Sequence, residues 1–344
     1  MADEEFTAVL RSTHEKFVQG LSNQVQKKKF IFWAYKKHGR IRFNESGSKL
    51  DWRIKYKRRS HTGYADGDVI TYSRKNLAQK AELPWRGYVM DDMITEKQRL
   101  MNRGKEAIFK MYGNLARDMK EDFLDDFDDE FYVDGNATGN TKRMHGLESF
   151  FGEAGTADAD LVATASDTYA GLSTVKGTYG GADGDPHYDF WTPILVNATG
   201  DWGATDTWAV EADQILRYAI TLTMKNTKKD KRVDYVLMGH DWFTKLLNLL
   251  QAEERIEASN KELTAAGFRN LIFDGVNVVW ASNCADNVAY GLDMAETELK
   301  FLTSDVVVSR SDFSMKNLGW LFAMYTFGNF RFNPRHFFKI GEYA

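Results

Sequence analysis

The feature that most constrains this chain is a proline-free stretch, about residues 95–131, with apolar residues at helical spacing. Its seven recurring apolar residues are Met101, Ile108, Met111, Leu115, Met119, Phe123 and Phe127. This spacing predicts one amphipathic helix, with Thr95 and Glu96 suited to its start. At about 1.5 Å per residue, the helix would reach about 50 Å. Such a length predicts a structural spine along which the other elements are arranged.

A strongly basic segment lies upstream, in a chain whose formal net charge is −4. Between Lys27 and Arg59 there are 13 Lys or Arg residues against two acids, Glu45 and Asp51, which is a net charge of +11. Within it, "RIRFNESGSKLDWRIKYKRR" (40–59) alternates apolar and cationic residues on both sides of a polar turn. This pattern predicts a β-hairpin with one apolar and one cationic face. We also expect the stretch around 64–72 to contain the returning strand.

The C-terminal end of the predicted spine helix is acidic, which the helix dipole disfavours. These acidic residues have two interpretations. They form either a solvated face of the helix or a patch that binds a basic partner. We take the second and predict a contact between neighbouring subunits. The predicted contact residues are Arg40, Arg42, Trp52, Arg53, Lys55, Lys57, Arg58 and Arg59 on the hairpin, and Asp122, Asp125, Asp126 and Asp129 on the helix. The apolar stripe of the hairpin would lie on the same neighbour.

The remaining segments predict a mixed α+β protein. Residues 30–39 are aromatic and indicate a strand, and residues 134–206 are rich in Gly, Ala, Asp and Thr and indicate loops with short strands. Asp274-Gly275 between two apolar runs predicts a second hairpin. Runs of helix and strand follow each other without regular βαβ alternation, which favours the α+β class. The high aromatic content, 14% of residues, favours extensive packing, including between subunits.

Motifs for enzyme chemistry are absent from the sequence, including phosphate-binding loops, nucleophile elbows and spaced Cys/His metal sets. The single Cys284 lies beside an apolar run, which favours a buried, inert thiol. His240 and Asp241 are adjacent, and we interpret Asp241 as a helix cap and not as half of a catalytic pair. The sequence therefore predicts no catalytic residues, no cofactor and no metal site. The acidic start and the lack of long apolar runs predict no signal peptide and no membrane partner.

From residue 146 onwards the chain contains, in order, the strings "GLESFF" (146–151), "DYVLMGHDWFTKLLNLL" (234–250), "NLIFDGVNVVWAS" (270–282), "AYGLD" (289–293) and "FGNFRFNPRHFFKI" (327–340). With these strings, the order of elements resembles the major capsid protein of tailed double-stranded-DNA bacteriophages, the Hong Kong 97-type fold. The resemblance implies an N-terminal arm (1–32), an extended β-hairpin E-loop (33–90), a P-domain with the spine helix and Gly-rich segment (91–230), an A-domain (231–296) and closing P-domain strands (297–344).

The resemblance further implies hexamers and pentamers that close into an icosahedral shell around packaged DNA, without sequence-specific DNA contact. The expected partners are a separate scaffolding protein, a portal and a decoration protein, with assembly in the host bacterial cytoplasm and residence in the virion capsid. Lys49 at the hairpin tip is either a cross-linking lysine, as in some relatives, or a solvated turn residue. Two alternatives stay open: an encapsulin-type nanocompartment shell, and a nucleic-acid-binding protein that uses residues 27–59.

Overall fold

The computed structural model describes residues 30–55, 63–69, 72, 77–101, 105–152, 161–175, 178, 190–203, 207–227, 233–252, 261–265 and 268–343. The helices are α1 (Phe30–Lys37), α2 (Glu96–Met101), α3 (Lys105–Glu130), α4 (Glu148–Phe151), α5 (Trp208–Thr227), α6 (His240–Ala252) and α7 (Lys261–Ala265), with 3₁₀ turns at Met294–Glu296 and Pro334–His336. The strands are β1 (Ile41–Arg42), β2 (Lys49–Lys55), β3 (Ala78–Pro84), β4 (Arg86–Thr95), β5 (Val162–Ala163), β6 (Thr168–Tyr169), β7 (Leu172–Ser173), β8 (Ile194–Asn197), β9 (Tyr235–Met238), β10 (Asn270–Phe273), β11 (Val276–Trp280), β12 (Ala289–Leu292), β13 (Thr297–Phe301), β14 (Val308–Ser314), β15 (Gly319–Phe332) and β16 (Phe338–Gly341).

The first main sheet is organised around the 14-residue strand β15. One edge of β15 pairs antiparallel with β4, and the other edge pairs with β14 and then with β13. β1 extends the sheet as a parallel neighbour of β13. Side chains of β15 alternate with the strand period along much of its length, so that Phe322, Met324, Phe330 and Phe332 are buried.

The second main sheet has the strand order β10-β11-β9-β12-β16-β8-β5. Strands β8, β9, β12 and β16 are buried along their whole length, as expected for a sheet covered on both faces. One core against this sheet contains residues of α5 and α6, where Trp208 and Trp242 stack at 4.1 Å between ring centroids. Strands from segments assigned by resemblance to both the A-domain and the P-domain therefore share one sheet.

A cluster of aromatic rings fills the space between the spine helix and the first sheet. The ring centroids of Phe131 and Phe330 lie 5.4 Å apart, and those of Phe150 and Phe332 lie 5.3 Å apart. All four side chains are at most 1% exposed. Tilted and edge-to-face pairs of this kind add to the free energy of burial. These aromatic residues thus belong to the core of the subunit.

The predicted spine segment contains α2 and α3, while residues 102–104 lie outside the described part of the chain. Thr95 and Gln98 exchange side-chain-to-backbone hydrogen bonds in a capping box, which begins α2. α3 has 26 residues and spans about 39 Å. Its buried face carries Met119, Phe123 and Phe127. None of the described helices is long and apolar enough to cross a membrane.

The prediction of a strand at 30–39 is wrong, because residues 30–37 form α1. Phe30, Ile31, Ala34 and Tyr35 fall on one helical face and are buried. The ring of Phe30 packs edge-on against the ring of Tyr235 at 5.2 Å. Burial of this face overrides the preference of aromatic residues for strands. The implied boundary between arm and E-loop, at residue 32, falls inside this helix.

The predicted pairing within 40–59 is also wrong. The short strand β1 lies in the first sheet beside β13, and β2 pairs instead with β3, from Lys49↔Pro84 to Lys55↔Ala78. The expected returning strand at 64–72 is not formed by its described residues, among which Tyr64, Val69 and Tyr72 are exposed; Ile70 lies outside them. β3 ("AQKAELP") lacks clear alternation, so its sequence did not mark it as the partner.

Two local predictions have clear outcomes. The hairpin at Asp274-Gly275 is confirmed: β10 and β11 pair antiparallel around it, and both turn residues have positive φ, as a type I′ turn requires. Asp241, however, does not cap α6. It forms an ion pair with Lys245 one turn later, while Asp286 accepts a hydrogen bond from the backbone N–H of His240. The cap therefore comes from a distant loop.

Candidate subunit-contact surfaces

The β2–β3 hairpin has one buried and one charged face. Leu50 and Trp52 are buried, while Lys49, Arg53 and Lys55 alternate with them and are exposed. This is the amphipathic alternation that the sequence predicted for 49–55. The cationic face is therefore fixed by the burial of its apolar neighbours.

Charges at the root of the hairpin are balanced within the subunit. Glu82 forms ion pairs with Lys80 at 2.6 Å and with Lys49 at 3.1 Å, and Lys80 also contacts Asp51 at 3.1 Å. The hydrogen bond from Lys80, followed by that from Lys49, lowers the pKa of the Glu82 carboxyl. All four groups are substantially exposed, so these pairs contribute little to stability. Lys49 thus has a carboxylate partner in its own chain.

Further along the hairpin, the described residues of the subunit do not balance the positive charge. No carboxylate among the described residues lies within ion-pair distance of Arg53 or Lys55. Lys80 lies directly opposite Arg53 in the ladder, and Ala78 lies opposite Lys55. The predicted contact residues Lys57, Arg58 and Arg59 follow and lie outside the described residues. The described part of the hairpin therefore presents surplus cations away from its root.

Trp52, which the sequence analysis predicted to contact a neighbour, is buried in its own subunit. It is 9% exposed, and its Nε1–H donates to Asn333 Oδ1 at 3.2 Å. The guanidinium of Arg331 lies 5.4 Å from its ring centroid, and the Trp191 ring lies 6.3 Å away. Trp52 therefore anchors the hairpin to its own subunit. It is also unable to stack on nucleic-acid bases from this position.

Arg40 and Arg42 do not belong to the hairpin either. Both flank or lie in β1, where the carbonyl of Arg40 accepts a hydrogen bond from the N–H of Leu299. Arg40 is half-buried and Arg42 is exposed. The charge of Arg42, together with the larger effect of Arg331, helps to lower the pKa of Glu298. These two arginines therefore act within the first sheet.

The acidic end of α3 carries an exposed row of carboxylates, as the sequence predicted. Asp122, Asp125, Asp126 and Asp129 are all exposed. Removal from water and then the charges of Asp129, Asp122 and Asp125 raise the pKa of Asp126. Each charged group that affects Asp126 is itself acidic. The row is therefore negatively charged. Among the described residues, the charged groups that affect Asp126 add to this negative charge and do not offset it.

A neighbouring acid shows the contrast. Glu130 is 8% exposed, and the guanidinium of Arg143 binds both its carboxylate oxygens, with a shortest distance of 2.6 Å. The hydroxyl of Tyr88 donates to the same carboxylate. This buried acid is the last residue of α3, and its charge is paired within the subunit. Glu130 is therefore not available to a partner, whereas Asp126 and Asp129 are exposed.

A cleft of about 220 Å³ lies beside this row, between α3 and β4. Phe123, Phe127 and Met90 supply apolar walls, while Asp126 and Asp129 supply carboxylates. Such a cleft suits the aliphatic stem and charged head of an arginine or lysine. β4 follows directly after the hairpin strand β3, so the cleft and the hairpin root adjoin in the fold.

Comparisons with known proteins decide the fold. No known protein family matches the sequence, and no curated protein resembles it in sequence. The structure, however, is similar to the capsid asymmetric unit of Cyanophage A-1(L), with a TM-score of 0.61 and 14% identity over 89% of this chain and 90% of that chain. The chain has the Hong Kong 97-type capsid fold.

Two further solved structures have the same capsid fold. The capsid of a native GTA particle matches with a TM-score of 0.54 and 11% identity, over 90% of each chain. The mature capsid of bacteriophage PhiM1 matches with a TM-score of 0.53 and 11% identity, over 88% of this chain and 86% of that one. Because each match spans most of both chains, the capsid fold describes the whole architecture and not one sheet of it.

Proposed function

We propose that the chain is the major capsid protein of a tailed double-stranded-DNA bacteriophage. Many copies would form hexamers and pentamers, and these would close into an icosahedral shell around the genome. The observation that carries the proposal is the likeness to the Cyanophage A-1(L) capsid over 89% of this chain and 90% of that one.

The division into domains that the resemblance implied is part of the proposal. The β2–β3 hairpin belongs to the E-loop (33–90), α2 and α3 form the spine of the P-domain (91–230), and residues 231–296 form the A-domain. Extension of the A-domain sheet by β16 and β8 supports a subunit in which the two domains share strands. The N-terminal arm, residues 1–29 in the main, lies outside the described residues.

The contact that we propose joins the hairpin of one subunit to the acidic cleft of the next. Arg53 and Lys55 have no carboxylate partner among the described residues, and Asp126 is surrounded by like charge. A ring of subunits requires contacts between two different patches, and opposite charge fixes their register. The apolar walls beside Phe123 and Phe127 would cover the stem of the inserted cation.

The same proposal includes a structural and not an enzymatic role, with no cofactor. A shell of this kind implies a scaffolding protein, a portal and a decoration protein as partners, and packaged DNA that is held without sequence recognition. Burial of Trp52 argues against the alternative of a nucleic-acid-binding groove, because base stacking requires an exposed ring. Assembly would take place in the bacterial cytoplasm, and the product would be the virion capsid.

Electron microscopy of the purified full-length protein tests this function. We expect closed shells of uniform diameter, alone or with a scaffolding protein, and double-stranded DNA in particles from infected cells. Shells that contain only protein cargo would indicate a nanocompartment instead. A monomer under all conditions, with tight and salt-dependent DNA binding, would contradict the proposal.

A further inference from the structure

Two short chain crossovers between the two main sheets pass through one small region, while the third, longer connection runs from β4 through α2, α3 and α4 to β5. Residues 293–296 connect β12 of the second sheet to β13 of the first, and residues 333–337 connect β15 of the first sheet to β16 of the second. The backbone N–H of Asn333 donates to the carbonyl of Glu296 at 3.1 Å, which joins the two crossovers directly. Any group that binds both crossovers therefore fixes the two sheets relative to each other.

Three metal-ligating side chains converge at this point: Asp293 and Glu296 from the first crossover and His336 from the second. We call them the crossover cluster. One donor atom from each lies within 4.8 Å of the others, and within the described part of the chain this is the group of three that meets that condition. Asp293 Oδ2 lies 3.7 Å from His336 Nδ1, and Glu296 Oε1 lies 3.9 Å from His336 Nε2.

These separations exceed those of direct hydrogen bonds, which are about 2.7–3.2 Å. Zinc binds nitrogen and oxygen at about 2.0–2.2 Å, so donor atoms around one ion lie roughly 3–4 Å apart. The two distances above run to different ring nitrogens, and an ion would bind one of them, so the donor atoms, which lie within 4.8 Å of one another, would draw together around it. The side chains are 8% exposed for Asp293, 16% for His336 and 22% for Glu296. The cluster is therefore mostly enclosed but still open to water, which could complete the coordination of an ion.

Each carboxylate is oriented by a hydrogen bond to its other oxygen. Asp293 Oδ1 accepts from the backbone N–H of Ala295 at 3.0 Å, and Glu296 Oε2 accepts from Asn333 Nδ2 at 2.7 Å. The remaining oxygens, Oδ2 and Oε1, are the atoms that face the imidazole. Metal-ligating carboxylates are held in place by outer hydrogen bonds in the same way.

We propose that the crossover cluster binds one divalent transition-metal ion of the zinc class. One imidazole and two carboxylates form a donor set that suits zinc. Calcium and magnesium prefer oxygen ligands alone, whereas zinc and other transition metals also bind imidazole nitrogen. Both acids belong to one 3₁₀ turn and its N-cap, so the chain holds them close together and opposite the second crossover. The ion ties the two crossovers together and so stabilises the arrangement of the two sheets.

Zinc titration of the folded full-length subunit tests the proposal, and it does not depend on shell assembly. We expect one Zn²⁺ per chain by calorimetry and an increase in melting temperature with zinc concentration. His336→Gln and Glu296→Gln should each weaken binding at least tenfold. Exposed His240, in α6, provides the matched control, since His240→Gln should leave zinc affinity unchanged.

Cobalt supplies a second readout that does not rely on stability. Co²⁺ bound at the cluster should give a visible absorption spectrum that zinc displaces and that His336→Gln abolishes. Circular dichroism confirms that each variant is folded, and the isosteric Glu296→Gln serves if the histidine variant is not. Absence of zinc binding by the wild type, or equal affinity in the wild type and Glu296→Gln, would overturn the proposal.

Discussion

The indole nitrogen of Trp52 donates a 3.2 Å hydrogen bond to the side-chain oxygen of Asn333, 281 positions later in the chain. Asn333 in turn donates to Glu296 at 2.7 Å. The hairpin is thus anchored to the point where both crossovers meet. The sequence pattern predicted that Trp52 contacts a neighbouring subunit. In the structure, Trp52 holds the hairpin on its own subunit.

Replacing Trp52 should destabilise the isolated subunit. Trp52→Ala removes a buried ring, and we expect a loss of about 3–5 kcal/mol in the free energy of unfolding. Trp52→Phe should cost less, about 1–3 kcal/mol, because it leaves Asn333 without its donor but keeps most of the volume. Urea titration followed by fluorescence measures both. Tyr64→Ala, at a residue 64% exposed, is the control and should change stability by less than about 0.5 kcal/mol.

Reversing the surplus charge of the hairpin should prevent assembly without unfolding the subunit. We expect Arg53→Glu combined with Lys55→Glu to abolish shells, since both side chains are exposed and the acidic cleft would then face like charge. Sedimentation measures assembly, and circular dichroism measures folding. Lys316→Glu, an exposed change in another turn, should leave the yield of shells unchanged.

The complementary reversal identifies the receiving surface. A subunit with Asp126→Lys and Asp129→Lys should also fail to assemble alone. Combining these changes with the hairpin reversal in one chain should restore shells, because opposite charges then meet again. A normal yield of shells from the Arg53→Glu, Lys55→Glu variant would refute the electrostatic contact. If the combined variant does not form shells, the hairpin contacts a different acidic surface.

Asp126 should have opposite effects on the subunit and on the shell. Partial removal from water and the neighbouring acids raise the pKa of this exposed carboxyl, so its charge slightly destabilises the folded subunit at neutral pH, and solvent screening keeps the effect small. This destabilisation is relieved as the pH falls through the raised pKa. Asp126→Asn should therefore stabilise the isolated subunit by a few tenths of a kcal/mol at pH 7, with the gain vanishing at acidic pH. The same variant should weaken assembly, and Asp201→Asn, at an exposed acid elsewhere, should do neither.

His145 should make the subunit sensitive to acid. Burial, followed by the charge of Arg86, lowers its pKa to about 4, and its Nδ1 accepts from Asn329 at 3.0 Å. The folded state therefore keeps the imidazole neutral at pH values where the unfolded chain protonates it. Stability should fall as the pH drops from about 6.5 to 4, by roughly 2 kcal/mol between pH 7 and pH 5.

Melting curves at several pH values measure this loss. In His145→Asn the side-chain oxygen takes the place of Nδ1 as an acceptor, so this variant should lose much of the acid sensitivity. His240→Gln, at an exposed histidine, should retain the wild-type profile. An unchanged profile in His145→Asn would exclude His145 as the source.

Local sequence patterns predicted elements whose geometry is decided locally. The period of α3 and the Asp274-Gly275 turn are examples, because spacing and backbone conformation alone specify them. The strand β2 was also recognisable from its alternation. Its partner β3 was not, since pairing between segments separated by more than 20 residues depends on the whole fold.

The candidate sites show the same difference between features that local sequence specifies and features that depend on the whole fold. The row of acids at Asp126 and Asp129 was visible because consecutive turns of one helix carry it. The crossover cluster was invisible, because His336 lies 40 positions from Glu296 and neither belongs to a spaced motif. Trp52 was assigned to the wrong partner, since a pattern shows which face is apolar but not which surface covers it.

The long ladder between β4 and β15 has a mechanical consequence. The hairpin leads into β4 through Trp85, and β4 pairs with β15 from Arg86↔Gly328 to Thr95↔Gly319. Ladder hydrogen bonds run perpendicular to the strands, so tension applied along the hairpin would load them together in shear rather than peel them apart one by one. Under the proposed contact, the strand that carries the pull of a neighbouring subunit is thus one that β15 holds along its whole length.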